Sequence, residues 1–180
     1  MKIIAFCGKS GCGKSTIIDL LQSQYDNMFT VKSYTTRAVR KYDENDIFTH
    51  KFVSQEFYEQ HKDKAISVYH APQGYVSWTD ETSFNNKKIN LYAIDAAEAV
   101  KTLYPYCKKN NHKLLIIYLD VSEEIRKERY FKRESTLNGY KTEEHLDKTP
   151  LNDFNGSYAI IKTDDLSPEM VVKNILSKII

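Results

Sequence analysis

Gly8-Lys9-Ser10-Gly11-Cys12-Gly13-Lys14-Ser15-Thr16 constrains this chain more than any other stretch. It follows the apolar run Ile3-Ile4-Ala5-Phe6 and precedes Ile17, Ile18, Leu20 and Leu21. The pattern G-x-x-x-x-G-K-[ST] therefore lies between a buried strand and an amphipathic helix, the setting a phosphate-binding P-loop requires. Glycine lets the backbone turn tightly and come close to a ligand. Successive N–H groups then form an anion nest, backed by the positive end of the following helix. The ligand expected is a nucleoside triphosphate with Mg²⁺. The residues expected to bind it are Gly8, Ser10, Gly11, Cys12, Gly13, Lys14, Ser15 and Thr16. Lys14 reaches the β- and γ-phosphates, and the Ser15 hydroxyl binds the metal.

The remaining elements follow from hydrophobic period and end signals. Strands are predicted over 2–7, near Thr30–Tyr34, in two pieces of 65–78 split by Ala71-Pro72-Gln73-Gly74, and over 89–94, 113–119 and 157–161. Helices are predicted over 14–24, from Ser54 to about Gln60, over 96–109 with Pro105 kinking or ending it early, over 123–133 after Ser122, and over 167–180. A further helical piece is expected over 142–149. The stretch from Thr35 to Thr49 is polar and turn-rich, with no helix period.

Alternating strands and helices predict an α/β fold, a P-loop parallel sheet core with helices on both faces. Residues 33–88 interrupt the alternation. The single P-loop domain, 1–180, is thus expected to have a core of about 1–32, 89–120 and 155–180, a small inserted subdomain at 33–88, and a helical segment at 121–154. No repeat, low-complexity segment or linker is present.

Composition matters here mainly for what it excludes. A net charge of +2 argues against general polyanion binding, so local basic clusters must carry phosphate recognition. No apolar run approaches the roughly 20 residues that span a bilayer. Met1-Lys2 precedes only a short apolar run broken by Gly8 and Lys9, so no secretory signal is expected. The cysteines Cys7, Cys12 and Cys107 fit no zinc spacing and read as reduced thiols. A cytoplasmic location follows, with no nucleic-acid or membrane partner, as a monomer or a homodimer.

A second constellation lies in Ser33-Tyr34-Thr35-Thr36-Arg37-Ala38-Val39-Arg40. Two arginines three apart in a non-helical segment suit bidentate binding of a second phosphate. They also suit two solvated surface arginines. Arg126, Arg129 and Arg133 share one face of a helix, either a closing lid or a solvated face. Asp95 ends an apolar strand, where it could hold a metal-bound water or an acceptor nucleoside. Asp120 is read as starting the lid turn. His61, His70, His112 and His145 show no ligand pairing, and Trp78 is read as core.

Ser33-Tyr34-Thr35-Thr36-Arg37-x-x-Arg40, followed by His50-Lys51-Phe52-Val53-Ser54, resembles the S-x-T-T-R-x-x-R and Y-x-F-V-S motifs of guanylate kinases. The resemblance implies transfer of the ATP γ-phosphate to GMP or dGMP. It implies a single kinase domain in which 33–88 is an acceptor-binding insert and 121–154 a lid, with an acceptor site of Ser33, Arg37, Arg40, His50, Tyr75, Ser77 and Asp95. Arg129 and Arg133 resemble the family's lid arginines, so Lys14, Arg37, Arg129 and Arg133 are the implied catalytic set. Ser157-Tyr158-Ala159-Ile160-Ile161 with Asp164-Asp165-Leu166 resembles the final strand and turn. Three departures stand out. The family usually has tyrosine where His50 stands, and the glycine between its tyrosine and serine is Val76 here. It reads guanine with a glutamate one strand before Tyr75, and Ala65-Ile66-Ser67-Val68 has no acid. Alternatives are a broader deoxynucleoside monophosphate kinase, a ribosyl-phosphate kinase, and a nucleotide-binding scaffold module without catalysis. A small-GTPase switch would need an N-K-x-D signature, which the chain lacks.

Overall fold

The computed structural model describes residues 1–39, 46–71, 73–134 and 148–179. The elements, in chain order, are β1 (Lys2–Cys7), α1 (Lys14–Gln24), β2 (Met28–Thr30), β3 (Ser33–Thr35), α2 (Asp46–Thr49), β4 (His50–Phe52), α3 (Gln55–His61), β5 (Ser67–His70), β6 (Val76–Thr79) and β7 (Ile89–Ala93). They continue with α4 (Ala96–Glu98), α5 (Tyr104–Lys109), β8 (Lys113–Asp120), α6 (Glu123–Glu134), β9 (Ser157–Lys162) and α7 (Pro168–Ile179).

Among the described residues, β2, β7, β1, β8 and β9 form, in that order, one sheet whose pairings are all parallel. The unbroken apolar runs of β1 and β8 are explained by burial on both faces. Ile3, Ala5 and Cys7 enter one core cluster with Ala96, Ala99, Leu103 and Cys107. Ile4 and Phe6 point the other way, onto Ile17, Ile18 and Leu21 of α1 and Val171, Val172 and Ile175 of α7. From β1 the chain crosses toward β2 on one side, and from the adjacent β8 toward β9 on the other, so the loop after Cys7 opens at the carboxyl edge of the sheet, at a topological switch point.

A second sheet has the order β4-β3-β6-β5. It is mixed, with β3 parallel to β4 and antiparallel to β6. Its own small core holds Tyr58, Val76 and Trp78.

Four expectations change. The single strand near Thr30–Tyr34 is two. Met28–Thr30 pairs with β7, while Ser33–Thr35 pairs with β4 and β6, so the chain switches sheets at Val31-Lys32. The stretch 35–49, read as having no helix, carries the short α2, and β4 follows it directly. Pro105 does not end its helix. The backbone widens into a π-helical segment at Ala99–Leu103, with the Tyr104 N–H bonded to the Ala99 carbonyl, and continues as α5. Proline has no N–H to offer Lys101 and its ring crowds that carbonyl, so the widened turn absorbs the misfit. Of the helical piece expected over 142–149, residues 142–147 lie outside the described residues, and Thr149–Leu151 form a 3-10 turn.

Asn90 is 0% exposed in the middle of the sheet. Its Nδ2 donates to the carbonyls of Lys2, Asn85 and Lys88, and its Oδ1 accepts from the Asn85 N–H at 2.7 Å. The side chain closes the turn before β7 and ties it to the start of β1. Asn90→Leu takes the side-chain partner from those partly buried backbone groups, and we expect a loss of roughly 1–3 kcal/mol. Urea unfolding measures it, and a change below about 0.5 kcal/mol, the scatter of ordinary surface substitutions, would remove this role.

Candidate active site

The loop after β1 has the shape its glycines allow. Gly8 takes φ 137° and Gly13 takes φ 96°, both in the region that side chains avoid. A Cβ on Gly8 would stand 2.7 Å from both the Leu119 carbonyl oxygen and Cys12 Sγ. The α1 N-terminus carries no acidic residue in its first turn. Its positive end therefore remains available to an anion. Lys14 Nζ donates to the Gly8 carbonyl at 2.6 Å and the Lys9 carbonyl at 3.3 Å, folding the ammonium back over the loop.

One cavity of about 640 Å³ runs from this loop to the second sheet. Gly8, Ser10, Gly11, Cys12, Gly13, Lys14, Ser15 and Thr16 line one end of it. Ser33, Arg37, His50, Tyr75, Ser77, Asp95 and Arg129 line the same cavity. Arg40 and the Arg133 side chain, both expected in the site, lie outside the described residues, as does His145.

Strand pairing explains how residues so far apart in sequence meet. Ser33 registers with His50 across β3 and β4, and Thr35 with Ser77 across β3 and β6. Ser77 Oγ donates to Thr35 Oγ1 at 2.8 Å. The Thr36 N–H donates to the Val76 carbonyl, and the Val76 N–H donates to Thr36 Oγ1. Arg37 sits just past this junction. Its guanidinium lies 5.5 Å from the Phe52 ring centre and 5.9 Å from that of Tyr75, and its Nη1 donates to the Ala38 carbonyl. Contacts of this kind hold a guanidinium by its face. His50 Nδ1 is hydrogen-bonded to Thr49 Oγ1 at 2.9 Å.

The acids are partly committed. Asp95 Oδ1 accepts from the Glu98 N–H at 2.8 Å and so caps α4. Asp120 pairs with Lys148 at 2.8 Å, which ties residue 148 to the end of β8. Among the described residues, no cluster of three His, Cys, Asp or Glu could hold a metal ion. Burial holds the Cys7 thiol well above its usual range, the Asp95 charge adds to this, and Lys14 opposes it.

Helix α6 lies against the phosphate loop. Arg129 Nη1 donates to the Gly11 carbonyl at 3.1 Å. Arg126, grouped with it in the sequence, is 3% exposed, and its backbone and Cβ face Gly11. The shared face is thus a packing face rather than a solvated one at this position.

Several lining residues carried no signal in the sequence. Thr163, Leu166, Pro168 and Val171 form a mostly apolar wall beside the loop. Thr163 is buried, and its Oγ1 has no hydrogen-bond partner among the described residues. Ser67, Tyr69 and Tyr92 also line the cavity. Tyr92 sits inside an apolar strand run, where a tyrosine reads as core. Only the junction of the two sheets turns it toward the cavity.

No helix among the described residues is long and apolar enough to cross a membrane. No protein-family model matches the sequence, and no curated protein matches it. Solved structures do resemble the chain. The guanylate kinase from Anaplasma phagocytophilum superposes with a TM-score of 0.62 at 17% identity, over 98% of this chain and 82% of that one. The likeness is one of fold, a P-loop α/β fold of the guanylate kinase kind.

Proposed function

We propose that this chain is an ATP-dependent nucleoside monophosphate kinase, with GMP or dGMP as the default acceptor: ATP + GMP = ADP + GDP. The observation that carries the reading is the single cavity joining the phosphate loop to the Arg37 segment of the second sheet. A P-loop alone serves one nucleotide. A stacked arginine at the far end of the same cavity supplies a second anion site.

In this reading the loop N–H groups and Lys14 hold the β- and γ-phosphates of ATP, and the wall of Thr163, Leu166, Pro168 and Val171 receives its base. The donor set fits Mg²⁺, which keeps several waters and takes few protein ligands, with Ser15 the protein contact. Mg²⁺ would neutralise charge building on the β- and γ-oxygens. Arg37 and Arg40 anchor the acceptor phosphate, with Tyr75, Ser77 and His50 beside it, and Ser33 and Asp95 face the acceptor nucleoside. An acceptor phosphate oxygen attacks the γ-phosphorus in line as the bond to the β–γ bridging oxygen breaks. That oxygen is already anionic near neutral pH, so positioning and charge stabilisation suffice without a general base. Arg129 and Arg133 cover the transferring group, and closure of α6 over it limits hydrolysis. We further propose that residues 33–88 form the acceptor-binding insert and 121–154 the lid.

A scaffold module would leave Lys14 and Ser15 without a task, so the enzyme reading is preferred. A panel of GMP, dGMP, dTMP and ribose 1,5-bisphosphate with ATP and Mg²⁺, read as ADP formed, tests it. Transfer to nucleoside monophosphates and none to the ribosyl phosphate is expected. ADP formation that no acceptor raises above background would end the proposal.

A further inference from the structure

Three hydroxyls meet where the two sheets join. Ser67 lies on β5, Thr79 on β6 and Tyr92 on β7. Thr79 Oγ1 donates to Tyr92 Oη at 3.4 Å, and Ser67 Oγ and Tyr92 Oη are hydrogen-bonded at 3.1 Å, with either as donor. Ser67 is 3% and Tyr92 4% exposed, yet both line the cavity. Each hydroxyl carries one proton and two lone pairs. The cluster holds three protons and its two hydrogen bonds use two. Since Thr79 gives its proton to Tyr92, the third remains on Ser67 or on Tyr92. Both of these face the cavity, so the cluster presents one uncommitted O–H donor there. Burial holds the Tyr92 phenol above its usual value, against the opposing hydrogen bonds from Ser67 and Thr79, so the donor stays neutral.

We propose that the Ser67–Tyr92–Thr79 cluster reads the acceptor's base, selecting one that turns a carbonyl oxygen toward it over one that turns an amine. This rests on reading the cavity as a two-nucleotide site. A carbonyl at O4 of uracil or thymine, or O6 of guanine, accepts the spare proton. The exocyclic amine of cytosine or adenine sets donor against donor and leaves a buried O–H unsatisfied, a penalty of about tenfold to a hundredfold in affinity. The cluster carries no charge, and Asp95 is the one carboxylate lining the cavity among the described residues. The cluster therefore reads the carbonyl that guanine, uracil and thymine share. It does not read the adjacent N1–H and amino donors that set guanine apart, which call for an acceptor pair such as a carboxylate.

The test compares kcat/KM for GMP, UMP and dTMP with that for AMP and CMP, with ATP and Mg²⁺. Wild type should favour the carbonyl bases at least about tenfold. Proton counting gives a distinctive pattern for variants. Ser67→Ala leaves the Tyr92 proton for the ligand, and Tyr92→Phe leaves that of Ser67, so each single variant keeps most of the preference. The double variant Ser67→Ala/Tyr92→Phe removes both donors and should lose it. A cluster that merely clasps the sheets would lower turnover of every acceptor alike and leave the ratio unmoved, which would overturn the proposal. So would equal use of both base classes by wild type. If the double variant does not fold, wild-type affinities for inosine monophosphate and purine riboside monophosphate, which differ at the C6 carbonyl, decide the matter. Equal affinity would sink it. Should no acceptor be phosphorylated while calorimetry still records the carbonyl preference, the kinase reading falls and this inference stands. If no nucleoside monophosphate is bound or phosphorylated, both fall.

Discussion

Lys14→Ala is expected to reduce phosphoryl transfer by at least about a thousandfold while leaving the fold intact. The lysine stands at the N-terminus of α1, whose first turn carries no acidic residue. In the proposed mechanism it is the ammonium that meets the β- and γ-phosphates. Its present bonds are to the Gly8 and Lys9 carbonyls, with Cys12 Sγ at 3.5 Å. These are partly exposed, so losing them costs only about 1 kcal/mol of stability. Activity and stability must therefore separate. Single-turnover ADP formation alongside thermal unfolding provides the comparison, and wild-type turnover in this variant would exclude the proposed mechanism.

Gly8→Ala is expected to be strongly destabilising, because the group it would meet is backbone. The added carbon would lie 2.7 Å from the Leu119 carbonyl oxygen, a backbone atom of the neighbouring strand that cannot rotate away. It would also meet Cys12 Sγ at 2.7 Å, inside the loop itself. The residue's φ of 137° adds strain of its own. Strain of about 1–3 kcal/mol and overpacking of a similar size sum to roughly 2–6 kcal/mol. In a protein of this length that corresponds to a drop in Tm on the order of 5–20 °C. Gly74→Ala is the control. It also has a positive φ, 88°, but its added carbon meets nothing within 4 Å, so only the strain remains. Equal Tm shifts in the two variants would show that the close approach of β8 is immaterial. Nucleotide affinity should fall with Gly8→Ala alone, because relieving the clash displaces the N–H groups that form the anion nest.

Much of this architecture is legible in the chain. The apolar runs at β1 and β8 announce strands buried on both faces, and the glycine-lysine pattern between β1 and α1 identifies the loop. Ser54 Oγ caps α3 by accepting from the Phe57 N–H, and Ser167 Oγ accepts from the Met170 N–H at the start of α7, as their positions suggest. Other features are not legible, for identifiable reasons. Val31-Lys32 bears no turn signal, since what parts β2 from β3 is the choice of partner strand. Three-residue β4 is too short for an alternation to register. Arg126 reads as a surface charge because helical spacing says which residues share a face, not which face packs on the phosphate loop.

The sequence by itself determined the local chemistry: the phosphate loop, the arginine that follows it in a separate segment, and the alternation that builds a parallel sheet. These are legible because covalent spacing and side-chain period act over a few residues. The tertiary structure alone decided that Arg37 shares a cavity with Lys14, and that Ser67, Thr79 and Tyr92 converge from three strands to leave one hydroxyl proton uncommitted. Such meetings depend on which strands pair and where two sheets join, and those are long-range choices set by burying the whole chain.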